Sequence, residues 1–381
     1  MARNILKSNN SFVATENWGT GDVPAAFQTG AVGYDIVSAA QSASFGISNP
    51  RQNLKQVGTQ GLVSQKLFRQ PDVNLSLSYI PNWPIVNDWM LPSFNVPYTG
   101  VAPHIAGTFT NILSGKLGAS RNFYIINAPD RGVDAFDAGS IAAGGNPDFS
   151  GWDSISFGNC YCTSYSLSYG VGALPRVTTD FIASNMKFDS LTGGPIPLPA
   201  INLESGNNSE VGEITTEVKT FTREPVIFNP TDTGSSITLQ NFQMGGQPIS
   251  GLHFLQSVDL SIDFPRVSTY RLGSNYPCDQ KPELPAQGSF SFSSLVSGFE
   301  TGNLTRGGLA PTSTALPEED TYQFDLVLAA SGKELAYRIE GATLESYSYS
   351  MAVNEGMNFN GAFTFEATES AGLSMSGSPP A

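Results

Sequence analysis

Apolar and small polar residues alternate one for one through many short stretches of this chain. The apolar members are Ala43, Phe45 and Ile47, then Leu75, Leu77 and Tyr79, then Tyr165, Leu167 and Tyr169. They continue with Val258, Leu260, Ile262 and Phe264, with Phe290 and Phe292, and with Tyr347, Tyr349 and Met351. Interleaved with them are Ser42, Ser44, Gly46 and Ser48; Asn74, Ser76 and Ser78; and Ser164, Ser166 and Ser168. The later stretches interleave Ser257, Asp259, Ser261 and Asp263; Ser289, Ser291 and Ser293; and Ser346, Ser348 and Ser350. Strand side chains point alternately to opposite faces, so each stretch predicts a strand with one apolar and one hydroxyl-rich face. Strands are expected near 42–48, 73–80, 122–127, 154–158, 161–171 and 177–188. Further strands are expected near 214–221, 236–243, 254–264, 288–295, 321–329, 334–351 and 359–367. No long stretch has helical periodicity, and the fold class is all-β.

The pattern is written twice. Residues 41–66 and 256–281 align without a gap at an offset of 215. Gln41, Ile47, Pro50, Arg51, Gly58, Gln65 and Lys66 find the same residue types at Gln256, Ile262, Pro265, Arg266, Gly273, Gln280 and Lys281. Each block reads as an alternating strand, a Pro-Arg break, a Gly-centred turn and a second strand. Ser164–Ser168 and Ser346–Ser350 repeat at an offset of 182. A repeat of this length marks one structural unit used twice. The chain accordingly divides into an irregular lead-in (1–34), a first unit (35–205), a second unit (206–367) and a tail with little order (368–381). The Gly- and Pro-rich stretch 189–212 supplies the linker.

Composition narrows the class. The 381 residues suffice for two domains with cores of their own. Only 14% of them are charged, against roughly 25% in an average soluble protein. The net charge of -14 disfavours tight binding to nucleic acid or anionic lipid, which comes largely from Lys and Arg. The N-terminal residues lack the apolar run of a signal peptide, and no stretch reaches membrane-spanning length, so assembly in a cytoplasm is expected.

The hydroxyl-rich face is the distinctive feature. An ordinary solvated strand face mixes in Lys, Glu, Arg and Thr. A face of Ser with a few Asp is smooth and wettable and does not grip phosphate, as suits a channel wall along which a polyanion slides.

Catalytic and metal readings are weak. There is no G-x-S-x-G elbow, no H-E-x-x-H pair and no Walker loop. Cys160, Cys162 and Cys278 make an odd count, and Cys160 and Cys162 read as buried structural thiols. His104 and His253 stand in unrelated contexts. Asp134, Asp137, Asp153 and Glu300 have no spacing that selects a catalytic pair. Trp83, Trp89 and Trp152 read as packing aromatics. No catalytic residue, metal or cofactor is expected.

The string from Ser257 to Arg266, followed by Tyr270-Arg271-Leu272-Gly273 and by Lys281-Pro282-Glu283-Leu284-Pro285, resembles the major tail tube proteins of long-tailed bacteriophages. The first copy, Phe45 to Pro71, matches with Val57-Gly58 at the turn and Lys66 and Pro71 at its close. The resemblance implies two similar β-sandwich tail-tube domains whose strands join neighbouring subunits in a closed β-barrel ring, disposing of edge strands. It implies rings stacked into a hollow tube that conducts viral DNA without tight binding, in contact with other tail proteins and with no membrane. Two units per chain imply a trimer with pseudo-sixfold symmetry, with a hexamer, the pattern of single-unit chains, as the alternative. The virion tail is the implied location.

On that reading Ser42, Ser44, Ser76, Ser78, Ser164, Ser166, Ser257, Asp259, Ser261, Asp263, Ser289, Ser291, Ser346 and Ser348 face the lumen. Pro50, Arg51, Gly58, Lys66, Pro265, Arg266, Gly273 and Lys281 belong to loops reaching the adjacent ring. There Arg51 and Arg266 are expected to meet acidic residues such as Glu318, Glu319 and Asp320. A neck, baseplate or decoration protein of a virion is the alternative. An outer-membrane barrel would need export and a lipid-facing apolar band.

Overall fold

The computed structural model describes residues 11–16, 32–37, 40–58, 60–67, 72–80, 109–113, 121–128, 150–191, 216–218, 236–244, 247–248, 254–270, 272, 277–295, 321–330, 333–351 and 356–377. These residues are all-β, with no helix among them. The first half holds β1 (Ser11–Glu16), β2 (Val32–Ile36), β3 (Ala40–Ser48), β4 (Arg51–Leu54) and β5 (Ser64–Leu67). It continues with β6 (Asp72–Tyr79), β7 (Thr110–Asn111), β8 (Arg121–Asn127), β9 (Asp153–Gly170) and β10 (Arg176–Ser190). The second half holds β11 (Thr216–Val218), β12 (Ser236–Met244), β13 (Gln247–Pro248), β14 (Phe254–Asp263), β15 (Arg266–Tyr270) and β16 (Pro277–Pro282). It ends with β17 (Ala286–Leu295), β18 (Tyr322–Ala330), β19 (Lys333–Ser350), β20 (Asn358–Ala367) and β21 (Leu373–Gly377).

Eight strands form one continuous antiparallel run in the order β3-β6-β10-β9-β14-β17-β20-β19. Its apolar face carries Leu75, Leu77, Leu167, Leu260, Phe290 and Phe363, all buried. That face packs on β8 and β18. The ring of Phe123 lies 4.7 Å from Phe181, and that of Phe324 lies 4.4 Å from Phe290. Between the layers the buried hydroxyls of Tyr165 and Tyr337 share a hydrogen bond of 2.9 Å. Phe290, Phe292, Phe324, Phe359 and Phe363 form an aromatic cluster in tilted, stacked and edge-on contact. Ring quadrupoles favour those geometries.

The pairings recur along the chain. Ser44 faces Ser76 and Asp259 faces Ser291, both shifted by 215. Asp180 faces Ser164 and Ala362 faces Ser346, both shifted by 182. The irregularities recur too. The register slip between Ala40 and Ser42 returns between Leu255 and Ser257, and the slip between Asp180 and Phe181 has its counterpart where Phe363 and Ala362 pair across Leu344 and Ser346. Bulges bend strands and re-aim side chains, so their repetition carries the same bend into both halves.

Several sequence expectations are corrected. The stretches near 154–158 and 161–171 are one strand, β9. Within it Asn159 takes a left-handed φ of 49°, which Asn tolerates. Its N–H donates to Asn122 Oδ1 at 2.8 Å. The lead-in 1–34 holds β1, whose Val13 is buried and which pairs with β8. The tail 368–381 holds β21, with Leu373 and Met375 buried, because the alternation of Leu373, Ser374 and Met375 suits a half-covered strand. Strand β10 continues to Ser190, inside the stretch expected to be linker, and Leu191 N–H bonds to the Trp152 carbonyl. Most of the expected linker, and residues 81–108, 114–120 and 129–149, lie outside the described residues.

One buried charge is held by the second layer. Asp325 on β18 is fully buried and accepts two hydrogen bonds from Arg338 on β19, at 2.8 and 2.9 Å. This pairing raises the Arg338 pKa further, against the opposing pull of partial burial. Removing one partner of a buried pair strands the other charge, at a cost of about 3–5 kcal/mol. Arg338→Met is therefore expected to shift urea unfolding by that amount, and an unchanged midpoint would contradict this assignment.

Candidate functional site

The face of the eight-strand run opposite the core is where the alternating pattern places its hydroxyls. Cross-strand register assembles them into rows. One row reads Ser42, Ser78, Thr178, Ser166, Ser261, Ser289, Thr364 and Thr343 from edge to edge. The next reads Ser44, Ser76, Asp180, Ser164, Asp263, Gln287 and Glu366. On the other side lie Ser168, Asp259, Ser291, Ala362 and Ser346, and then Gly170, Ser257, Ser293, Asn360 and Ser348.

All fourteen residues expected to share a wall therefore stand on one face of one sheet, and none of them is buried. Neighbouring strands bond across it. Ser164 Oγ donates to Asp180 Oδ2 at 2.7 Å, Ser261 and Ser289 share a bond of 2.8 Å, and Ser166 Oγ donates to the Thr178 carbonyl at 3.3 Å. Such bonds tie short side chains down and keep the surface low. Shallow depressions lie on it, one between Ser257, Ser291, Ser346 and Asn360 and one between Ser44, Asn74, Ser76 and Asp180.

Charge on this face is sparse and mainly acidic: Asp72, Asp180, Asp259, Asp263 and Glu366. Strand β10 brings Arg176 to the margin, opposite Ser168, so the face has a cation at its rim. The sequence reading missed the whole contribution of β10 and β20 to this wall. Thr178, Asp180, Asn360 and Thr364 lie on it, and their signal was the same alternation with Thr and Asn in place of Ser.

The two Pro-Arg blocks form hairpins, β4 with β5 and β15 with β16, which leave the same end of the sheet because β3 and β14 run parallel. Gly58 turns the first hairpin with φ of 94°, a conformation that suits Gly. Arg51, Lys66 and Lys281 are exposed, as is Pro265, while Pro50 is half-buried. Arg266 is engaged within the chain. Its Nε donates to the Cys162 carbonyl at 2.8 Å, one Nη donates to the Gln280 carbonyl at 3.0 Å, and its guanidinium lies 5.0 Å from the Tyr161 ring centroid. Burial pulls its pKa down, against opposing contributions from Cys162 and Tyr161. It pins the hairpin to β9. Gly273, Glu318, Glu319 and Asp320 lie outside the described residues.

Of the remaining candidates, Cys160 and Cys162 are buried, and Trp152 is a buried core residue. Asp153 accepts a hydrogen bond from Ser190 Oγ at 2.7 Å. Among the described residues no three His, Cys, Asp or Glu side chains group as metal ligands. His104, His253, Trp83, Trp89, Asp134, Asp137, Glu300 and the side chain of Cys278 lie outside what is described.

No protein-family model matches the chain, and no curated protein matches it. Among solved structures it is similar to a chain in the tail of an empty gene transfer agent particle with C6 symmetry. The match has 10% identity and a TM-score of 0.22, over 33% of this chain and 83% of that one. It is also similar to a chain in the virion of a native gene transfer agent particle, with 11% identity and a TM-score of 0.22, over 37% of this chain and 97% of that one.

Proposed function

We propose that this protein is a structural virion component that polymerises as stacked rings into a hollow tail tube, with the hydroxyl face turned to the lumen. The observation that carries the reading is the single eight-strand run, uniform on one face and open at both ends. Among the described residues β3 pairs only with β6, and residues 343–350 of β19 pair only with β20. Two long exposed edges on one molecule are an invitation to pair, and closure into a barrel removes them.

Barrel arithmetic favours several chains. Eight strands closed alone leave an interior that side chains fill, whereas barrels of about 16–18 strands already enclose an aqueous channel. Three chains would supply 24 strands, which at about 4.8 Å spacing and about 36° tilt close a barrel about 45 Å across. A wall of Ser and Thr with scattered carboxylates would let a polyanion pass without the phosphate–cation contacts that hold it. The partners on this reading are further copies of the chain, other tail proteins and DNA in transit. No enzymatic step is assigned.

Native mass spectrometry with electron microscopy of the purified chain tests it. Three chains per ring and tubes with a central hole are the expected result. Discrete particles without an axial channel would overturn it in favour of another virion part.

A further inference from the structure

Within the eight-strand run the two repeated halves meet where β14 pairs with β9, and that junction is a template for the contact between chains. Strand β14 pairs with β9 so that Asp259 faces Ser168, Ser261 faces Ser166 and Asp263 faces Ser164. Shifting β14 by 215 gives the free edge β3, and shifting the end of β9 by 182 gives the free edge of β19. Each open edge is thus the copy of a strand already paired inside the chain.

We propose that β3 of one chain seats on β19 of a second copy in the same register. Ser44 then faces Ser350, Gly46 faces Ser348 and Ser48 faces Ser346. The proposal rests on the ring reading above and deepens it by fixing which surfaces meet and how.

Burial supports the assignment. Ile262 is 1% exposed and Tyr165 is fully buried at the internal junction, while their copies Ile47 and Tyr347 are 48% and 38% exposed. Leu260 is 1% exposed and its copy Phe45 is 40% exposed. In the proposed register Phe45 meets Tyr349 and Ile47 meets Tyr347, covering apolar surface that the lone chain leaves to water.

The same shift reassigns Arg51. Arg266 reaches across the internal junction to the Cys162 carbonyl, and Phe264 N–H donates to the Thr163 carbonyl beside it at 2.8 Å. Their copies are Arg51, Asn49, Leu344 and Glu345. Arg51 is exposed in the chain by itself. Seated on a second copy, its guanidinium donates to that copy's Leu344 carbonyl, next to the exposed Glu345. Arg51 is therefore a latch within a ring, whereas the sequence reading placed it between rings.

Cysteine pairs in the full chain test the register. Ser44→Cys with Ser350→Cys, oxidised mildly, is expected to give a covalent species of three chains on a non-reducing gel. Ser44→Cys with Ser346→Cys, four residues out of register, is expected to stay monomeric, as is the parent chain. Rings seen by electron microscopy without the first cross-link, or with equal yields from both pairs, would overturn the register and leave the ring reading standing. Absence of both rings and cross-links would overturn the two together. In parallel, Arg51→Ala is expected to leave the melting of the dissociated monomer unchanged while raising the concentration for half-dissociation of rings about tenfold or more. Arg266→Ala is expected to lower monomer melting. Rings of the Arg51→Ala variant as stable as those of the parent would remove the latch.

Discussion

Tubes carrying Ser76→Lys, Ser166→Lys and Ser289→Lys are expected to hold duplex DNA that the parent tubes let go. The three positions stand on β6, β9 and β17, two strands apart from one another in the run, and none is buried. Each added ammonium therefore enters water without displacing core side chains, and neighbouring lysines stay about 10 Å apart, near the Debye length at ordinary salt. A ring of three chains would present nine new cations on its inner wall. Binding that engages about 6–10 phosphates weakens by about 10³–10⁵ between 50 and 200 mM salt. Filter retention of a short duplex should thus appear at about 50 mM salt for the variant, vanish by about 200 mM, and stay low for the parent at both. Asn at the same three positions keeps the wall neutral and should behave as the parent does. If lysine tubes retain no more DNA than parent tubes, the face does not line the channel.

The hydroxyl face was legible in the sequence because a strand's period of two separates its faces without any tertiary information. Ser42, Ser44, Ser257 and Asp259 could be assigned to one side of their strands by reading alone. Thr178, Asp180, Asn360 and Thr364 escaped because β10 and β20 carry mixed residues, so only their pairing with the Ser-rich strands reveals the shared face. The strand at Leu373–Gly377 escaped for another reason: five residues bounded by Gly and Pro look like a tail until β19 offers an edge to pair with. The role of Arg266 was also invisible. Its spacing from Pro265 is the same as that of Arg51 from Pro50, yet one guanidinium meets a carbonyl across a junction and the other meets solvent. Residue type decides what a side chain can bind; which acceptor stands within reach depends on whether the neighbouring strand belongs to the same chain.

That dependence sets up a contrast between two phenylalanines on the same apolar face. Phe290→Ala should cost the monomer about 3–5 kcal/mol, read as a shift of the urea midpoint at constant slope. Phe290 is fully buried at the centre of the run, with ring centroids of Phe324, Phe292 and Phe363 at 4.4 Å, 5.8 Å and 6.5 Å. Truncation therefore opens a hole that several rigid rings cannot fill. Phe45 has the same side chain but sits on the open edge, 40% exposed, with its ring 5.4 Å from that of Phe157. Much of its ring is already in water, and the edge strand has room to relax. Phe45→Ala should therefore cost the isolated monomer less than half as much. In the assembled ring, where Tyr349 of the next copy covers the edge, it should destabilise the assembly by more than it destabilises the monomer, measured as the difference between ring and monomer melting. Should Phe45→Ala weaken monomer and ring alike, the edge is not covered on assembly, and the apolar surface on β3 must serve some other contact.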